Sequence, residues 1–212
     1  LDAEVETVTK LGVEVNYQSE INRNGDLDGI LNAHDAVIVA AFGDPGLAAL
    51  REVMPVPVLG LTESALASAC LLGHRFSVIA ISQRIQAWYR EVIESNGLIS
   101  RLASIRALDR QLAQIGRVQS DHSQALLELC QAAVDQDGAE VIILAGAPLA
   151  GMARAMHGQL PVPVVDGVSS AVRHAESLIA LAPGKATRGS FAPPPRKPNQ
   201  GLPEAIRRLL GD

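Results

Sequence analysis

Aromatic residues are scarce in this chain, at 3% of 212 positions. A core built from it must rest on Val, Ile, Leu and Ala. Only two cysteines occur, Cys70 and Cys130, with neither a metal-ligand spacing nor a disulfide framework. Both fall in apolar helical patterns and read as buried thiols rather than reactive ones. The five histidines show no HxxxH or His/Cys cluster, which argues against a metal site. No apolar run approaches the ~20 residues needed to cross a bilayer, and the opening LDAEVETVTK lacks a signal-peptide pattern. Basic residues form no stripe and the net charge is −5, which disfavours nucleic acid as a partner. These absences lead to the expectation of a cytoplasmic protein that uses no metal and does not bind membranes.

Short β-branched runs alternate with helical patterns. Hydrophobic residues make up 48% of the chain and charged ones 19%, enough apolar surface for a packed core. Strands are predicted over residues 35–41, 56–61, 75–82, 139–146 and 161–167, with a weaker one over 104–108. Their apolar runs are continuous rather than alternating, as in parallel strands buried on both faces. Helices are predicted over 47–54, 63–72, 83–95, 123–134, 149–156 and 169–181, with Thr62 as an N-cap and Asn96-Gly97 as a stop. The order implies an α/β fold of right-handed βαβ crossovers. A domain over 1–181 is expected, then a Pro- and Gly-rich arm with a short helix over 203–210. That arm either moves freely or packs, because Phe191 and Leu202 would otherwise be exposed.

One pattern recurs. Residues 35–64 read DAVIVAAFGDPGLAALREVMPVPVLGLTES, and residues 139–170 read AEVIILAGAPLAGMARAMHGQLPVPVVDGVSS. Each has an apolar strand, a small-residue turn, a helix, the phrase PVPV and a turn opening another helix. The second copy is two residues longer. This points to a duplication, with two pseudo-symmetric halves about a cleft.

In parallel sheets ligands bind beyond the carboxyl ends of the strands. Ala41, Phe42 and Gly43 lie there in the first copy, and Gly146 and Ala147 in the second. Their small side chains let backbone N–H groups approach a carboxylate or imide oxygen. Phe42, Gly43 and Ala147 are therefore expected to aim their N–H groups at one point. Thr62, Ser64, Ser82, Ser169 and Ser170 are further pocket candidates. Asp44, Glu63 and Asp166 are the weak candidates for acid or base. Asp44 also reads as a cap with Pro45 at the first helical position, Glu63 as a first-turn helix acid, and Asp166 as a turn former. Tyr89 reads as core or as a residue reaching over the pocket, with Trp88 beside it. Two equivalent walls about one ligand suit inversion of a stereocentre, with proton removal on one face and delivery on the other.

The phrases AAFGDPGL (40–47), PVPVLGLTESA (55–65), RFSVIAIS (75–82), DGAEVIIL (137–144), PVPVVDGVSSAV (161–172) and KATRGSFAPPPRKPNQGL (185–202) resemble the hydantoin and Asp/Glu racemase family. The resemblance runs from about residue 3 to residue 202. It implies a cofactor-independent racemase of amino-acid derivatives, hydantoin- or allantoin-like, that forms a homo-oligomer. In that family two cysteines transfer the protons. Their places fall on Ala41 and Gly146, neither of which can carry a proton. The related arylmalonate decarboxylases use one cysteine near the second place, so Gly146 departs from them too. A lyase, a cis–trans isomerase or an inactive binding paralogue on the same scaffold are the alternatives. Residues 1–10 resemble the family's second strand, so its first strand and helix are expected to be absent, leaving a gap beside the strand at 35–41.

Overall fold

The computed structural model describes residues 34–109, 112, 114–195, 198, 200, 201 and 207. Among the described residues there are six strands: β1 (Val37–Val39), β2 (Val58–Gly60), β3 (Phe76–Ala80), β4 (Leu102–Ala107), β5 (Val141–Leu144) and β6 (Val164–Asp166). Six described α-helices connect or follow them: α1 (Leu47–Val53), α2 (Leu61–Leu72), α3 (Gln86–Ser95), α4 (Val118–Asp137), α5 (Met152–Ala155) and α6 (Gly167–Leu181). All pairings are parallel. β1 pairs β2 in one sheet, and the other has the order β4-β3-β5-β6. The chain is thus an α/β protein with parallel sheets.

The apolar runs explain the centre of the larger sheet. Every residue of β3 and β5 is buried, because helices cover both faces. On one face Ala65, Leu66, Ala69 and Ile93 meet Phe76, Val78, Val141 and Ile143. On the other, Leu126, Cys130 and Ala133 of α4 meet Ile79, Ile142 and Leu144. Each fully buried large aliphatic side chain contributes about 1.5–3 kcal/mol relative to exposure.

Element ends depart from expectation for local reasons. Helix α4 begins at Val118, five residues ahead of the predicted start, but non-helical backbone at His122 (φ −132°) kinks it, so the unbroken helix runs from the predicted start at Ser123, and Gln119 ahead of the kink donates to the Pro148 and Ala150 carbonyls. It stops at Gly138, whose φ of 70° supplies the left-handed cap. The predicted helix at 149–156 is broken. A 3-10 turn over Ala147–Leu149 is separated from α5 by Gly151 at φ 77°. Helix α2 starts at Leu61 with Gly60 as N-cap, so Thr62 lies inside the helix rather than capping it.

The helices cross between the sheets. Helix α2, which follows β2, packs on β5 and β6, and α6, which follows β6, packs on β1 and β2. The first turns of α2 and α6 touch. A Cβ on Gly167 would lie 2.9 Å from both the Cβ and the carbonyl oxygen of Leu61.

The arm packs back on the domain. Lys185 Nζ donates to the Arg51 carbonyl at the end of α1, and the Arg51 guanidinium lies 5.2 Å from the Phe191 ring centroid. Leu202 and the helix expected over 203–210 fall, Arg207 apart, outside the described residues, as do residues 1–33 and with them the expected gap beside β1. Among the described residues no helix is long and apolar enough to cross a membrane.

Candidate active site

Aligning the two ladders at their last pairs relates one copy to the other. Val39 pairs with Gly60 at the end of the first unit, and Leu144 pairs with Asp166 at the end of the second. The offset between copies is therefore 105 residues on the leading strand (Val39 to Leu144) and 106 on the strand after PVPV (Gly60 to Asp166). The insertion is one residue, not the two that the linear match suggested. Ala41 then corresponds to Gly146 and Phe42 to Ala147. The turns agree: Asp44 N–H donates to the Ala41 carbonyl at 3.0 Å, and Leu149 N–H to the Gly146 carbonyl at 3.0 Å. Gly46 and Gly151, also corresponding, cap α1 and α5 with φ of 74° and 77°. Only glycine takes that conformation without strain.

The three candidate acids are all engaged at helix starts. Asp44 does not cap the helix that follows it. Gly46 does, and Asp44 sits in the turn at φ 50°. Its carboxylate instead accepts from the Thr62 and Glu63 N–H groups of α2, at 2.9 Å each. Gly60 has no side chain to fill its N-cap role, and a Cβ there would overlap the Asp44 carboxylate. Burial pushes the Asp44 carboxyl above its usual value, against the lowering effect of the two amide donors and the Thr62 hydroxyl. Glu63 accepts from Gly60 N–H at 3.2 Å and ion-pairs with Arg51. Asp166 is itself the N-cap of α6. It accepts from Ser169 N–H at 2.8 Å, from Ser169 Oγ at 2.9 Å and from Gly151 N–H at 3.3 Å.

The backbone donors divide. Gly43 N–H does not point to a shared ligand position, because it donates to Thr62 Oγ1 at 2.5 Å. Phe42 and Ala147 N–H groups have no hydrogen-bond partner among the described residues. These two are the corresponding residues immediately after Ala41 and Gly146. Gly146 has φ 107°, a backbone that a cysteine would adopt only under strain. Ser82 opens the 3-10 turn before α3, accepting from Arg84 N–H at 3.3 Å. Ser64 is buried on α2 with its hydroxyl unpartnered among the described residues, and Ser170 is buried on α6.

Tyr89 belongs to the core. It is buried, its ring meets Phe42 edge-on at 4.8 Å, and burial pushes its hydroxyl up to about 12. Cys130 is buried as expected, and burial pushes its thiol up to about 12. Cys70 is only half-buried, a correction to the expectation; it lies near the far end of α2 from the strand termini.

Two grooves of about 470 and 480 Å³ flank Arg51. One runs under the arm by Pro57, Leu178, Lys185 and Phe191, the other between α2 and α6 by Ser64 and His174. Neither is lined by Ala41 or Gly146. The linear reading overlooked Arg51, which partners Glu63, and Gly60, the counterpart of Asp166. Aligning the two PVPV phrases would have exposed the second.

Known proteins are similar to this chain in sequence and in fold. The sequence profile of the family described as Asp/Glu/Hydantoin racemase matches residues 22–175. The chain is 35% identical to the hydantoin racemase of Paenarthrobacter aurescens over 166 residues, covering 78% of this chain and 70% of that one. It is 32% identical to the hydantoin racemase of Pseudomonas sp. (strain NS671), over 88% of this chain and 73% of that one. The crystal structure of allantoin racemase from Pseudomonas fluorescens superposes with a TM-score of 0.76 at 29% identity, covering 94% of each chain. With its parallel sheets, its paired turns and these relatives together, the chain belongs to the Asp/Glu/hydantoin racemase family.

Proposed function

We propose that this protein binds a small cyclic amino-acid derivative, of hydantoin or allantoin type, beyond the carboxyl ends of β1 and β5, and isomerises it at an acidic C–H without a cofactor. The observation that carries the reading is the correspondence of the Ala41 and Gly146 turns. Each leaves one backbone N–H, of Phe42 and of Ala147, without a partner among the described residues. Such donors stabilise the oxyanion that develops when a carbon next to a carbonyl loses its proton. The hydantoin and allantoin racemases that the chain is similar to support the ring as ligand.

Ala41 and Gly146 hold no proton, so the family's two-thiol scheme does not operate at these positions. Of the three carboxylates, Asp44 lies in the same turn as Ala41 and has the raised proton affinity a base needs. A second reading has its own support. Asp44, Glu63 and Asp166 are all occupied at helix starts, as suits a binding paralogue that has lost the chemistry.

Proton exchange separates the two. An isomerase washes deuterium into the 5-position of a monosubstituted hydantoin in D₂O faster than buffer does. The exchange should persist in Cys70→Ala/Cys130→Ala, once a thermal melt shows that variant to be folded. A wild-type rate equal to buffer, with binding seen by calorimetry, selects the binding paralogue.

A further inference from the structure

We infer that the exposed indole of Trp88 is the wall on which the planar ring of the ligand stacks, which makes Trp88 a specificity-determining residue. The inference rests on the ring-ligand reading above. Three of the six aromatic residues in the chain, Phe42, Trp88 and Tyr89, gather at the turn that follows β1. In a chain this poor in aromatics, that concentration lies at the strand end where the fold family of sheets binds ligands. Phe42 and Tyr89 are spent on the core, buried to 4% exposure each. Trp88 is not. It is 40% exposed and stands outside the buried core cluster.

Its placement is tightly specified all the same. The six-membered part of the indole lies so close over Gly43 that a Cβ there would overlap it. Gly43 also has φ 112°, so no other residue suits the position. The turn thus keeps a glycine where the backbone passes beneath an indole that the core does not need. Trp88 lies in the first turn of α3, beyond the carboxyl end of β3, on the same side of the molecule as the turn after β1. An indole face attracts flat amide and imide rings through dispersion and its quadrupole. A ring lying on it beside the turn has the Phe42 N–H, without a partner among the described residues, within the same turn for a carbonyl oxygen. A flat cyclic ureide or imide is therefore favoured over an open-chain, tetrahedral amino acid.

Trp88 is the only tryptophan, so its emission reports on this position alone. Allantoin and 5-benzylhydantoin are titrated into the wild type while emission and binding heat are followed in parallel. The emission should change saturably with the calorimetric affinity. Trp88→Leu should weaken binding about tenfold and Trp88→Phe about threefold or less, with each fold checked by thermal melt. Binding heat without a change in emission, or an unchanged affinity in folded Trp88→Leu, overturns the role of Trp88 and leaves the ring reading standing. No heat and no emission change with either probe overturns the ring reading and the inference together. If Trp88→Leu does not fold, Trp88→Phe and the wild-type emission decide.

Discussion

At the residue scale, one helix start is capped from a distance and its counterpart is capped locally. In the second unit Asp166 is strand end and N-cap at once. In the first unit Gly60 holds that position, and Asp44 reaches in from the neighbouring turn to bind the same kind of N–H groups. The two arrangements exclude each other sterically, since a side chain on Gly60 would overlap Asp44. Gly60→Asp alone should cost about 2 kcal/mol or more through overpacking and like charges. Asp44→Gly alone should cost about 1 kcal/mol through the lost cap, partly offset because glycine relaxes the φ of 50°. The double variant Asp44→Gly/Gly60→Asp copies the second unit and should recover most of the loss. Urea unfolding of the four proteins measures the coupling, expected at about 1–3 kcal/mol. Additive losses would mean that the two carboxylates do not occupy one place.

At the element scale, helix α4 shows how a strand can correct a poor helix end. Asp137 closes α4, where the helix dipole disfavours an acid. Arg106 of β4 binds that carboxylate through two nitrogens, at 2.6 and 3.0 Å, and also reaches Gln136 Oε1 at 2.9 Å. The hydrogen bonds from Arg106 hold the Asp137 carboxyl below its ordinary value. An acid whose native value is lowered stabilises the fold above its unfolded value, about 3.9, and loses that contribution as pH falls through the native one. Asp137→Ala should therefore cost about 1 kcal/mol at neutral pH, and the gap from wild type should close as pH drops below about 3.9. Urea midpoints at the two pH values test this. A gap that persists in acid would assign the loss to packing. The same helix shows what was legible beforehand. Its end was announced by Asp137-Gly138, because glycine alone takes the left-handed cap readily. The sequence placed its start at Ser123, just after the kink at His122, and missed the turn ahead of the kink, because a mostly polar turn carries no apolar period.

At the scale of the whole molecule, each unit covers the sheet of the other, α2 on β5 and β6 and α6 on β1 and β2. Neither described sheet keeps its cover if one unit melts. Unfolding should be a single transition. Trp88 emission, which reports the turn after β1, and far-ultraviolet dichroism, which reports all helices, should trace coincident urea curves. Separated curves would show that the units unfold independently. By itself the sequence determined the α/β class, the order of the described strands and helices, the recurring PVPV phrases and the burial of Cys130, because apolar period, turn glycines and burial-prone residue types are local properties of the chain. It also placed Ala41 and Gly146 as counterparts through family phrases, which the strand register then matched. Only the tertiary structure decided that Asp44 caps a helix eighteen residues away rather than its own, that Glu63 is tied to Arg51, that Gly43 N–H is taken by Thr62, and that the arm returns to Arg51. Those outcomes depend on which unpaired amide or charge lies nearest in space once the sheets form, and sequence distance carries no record of that.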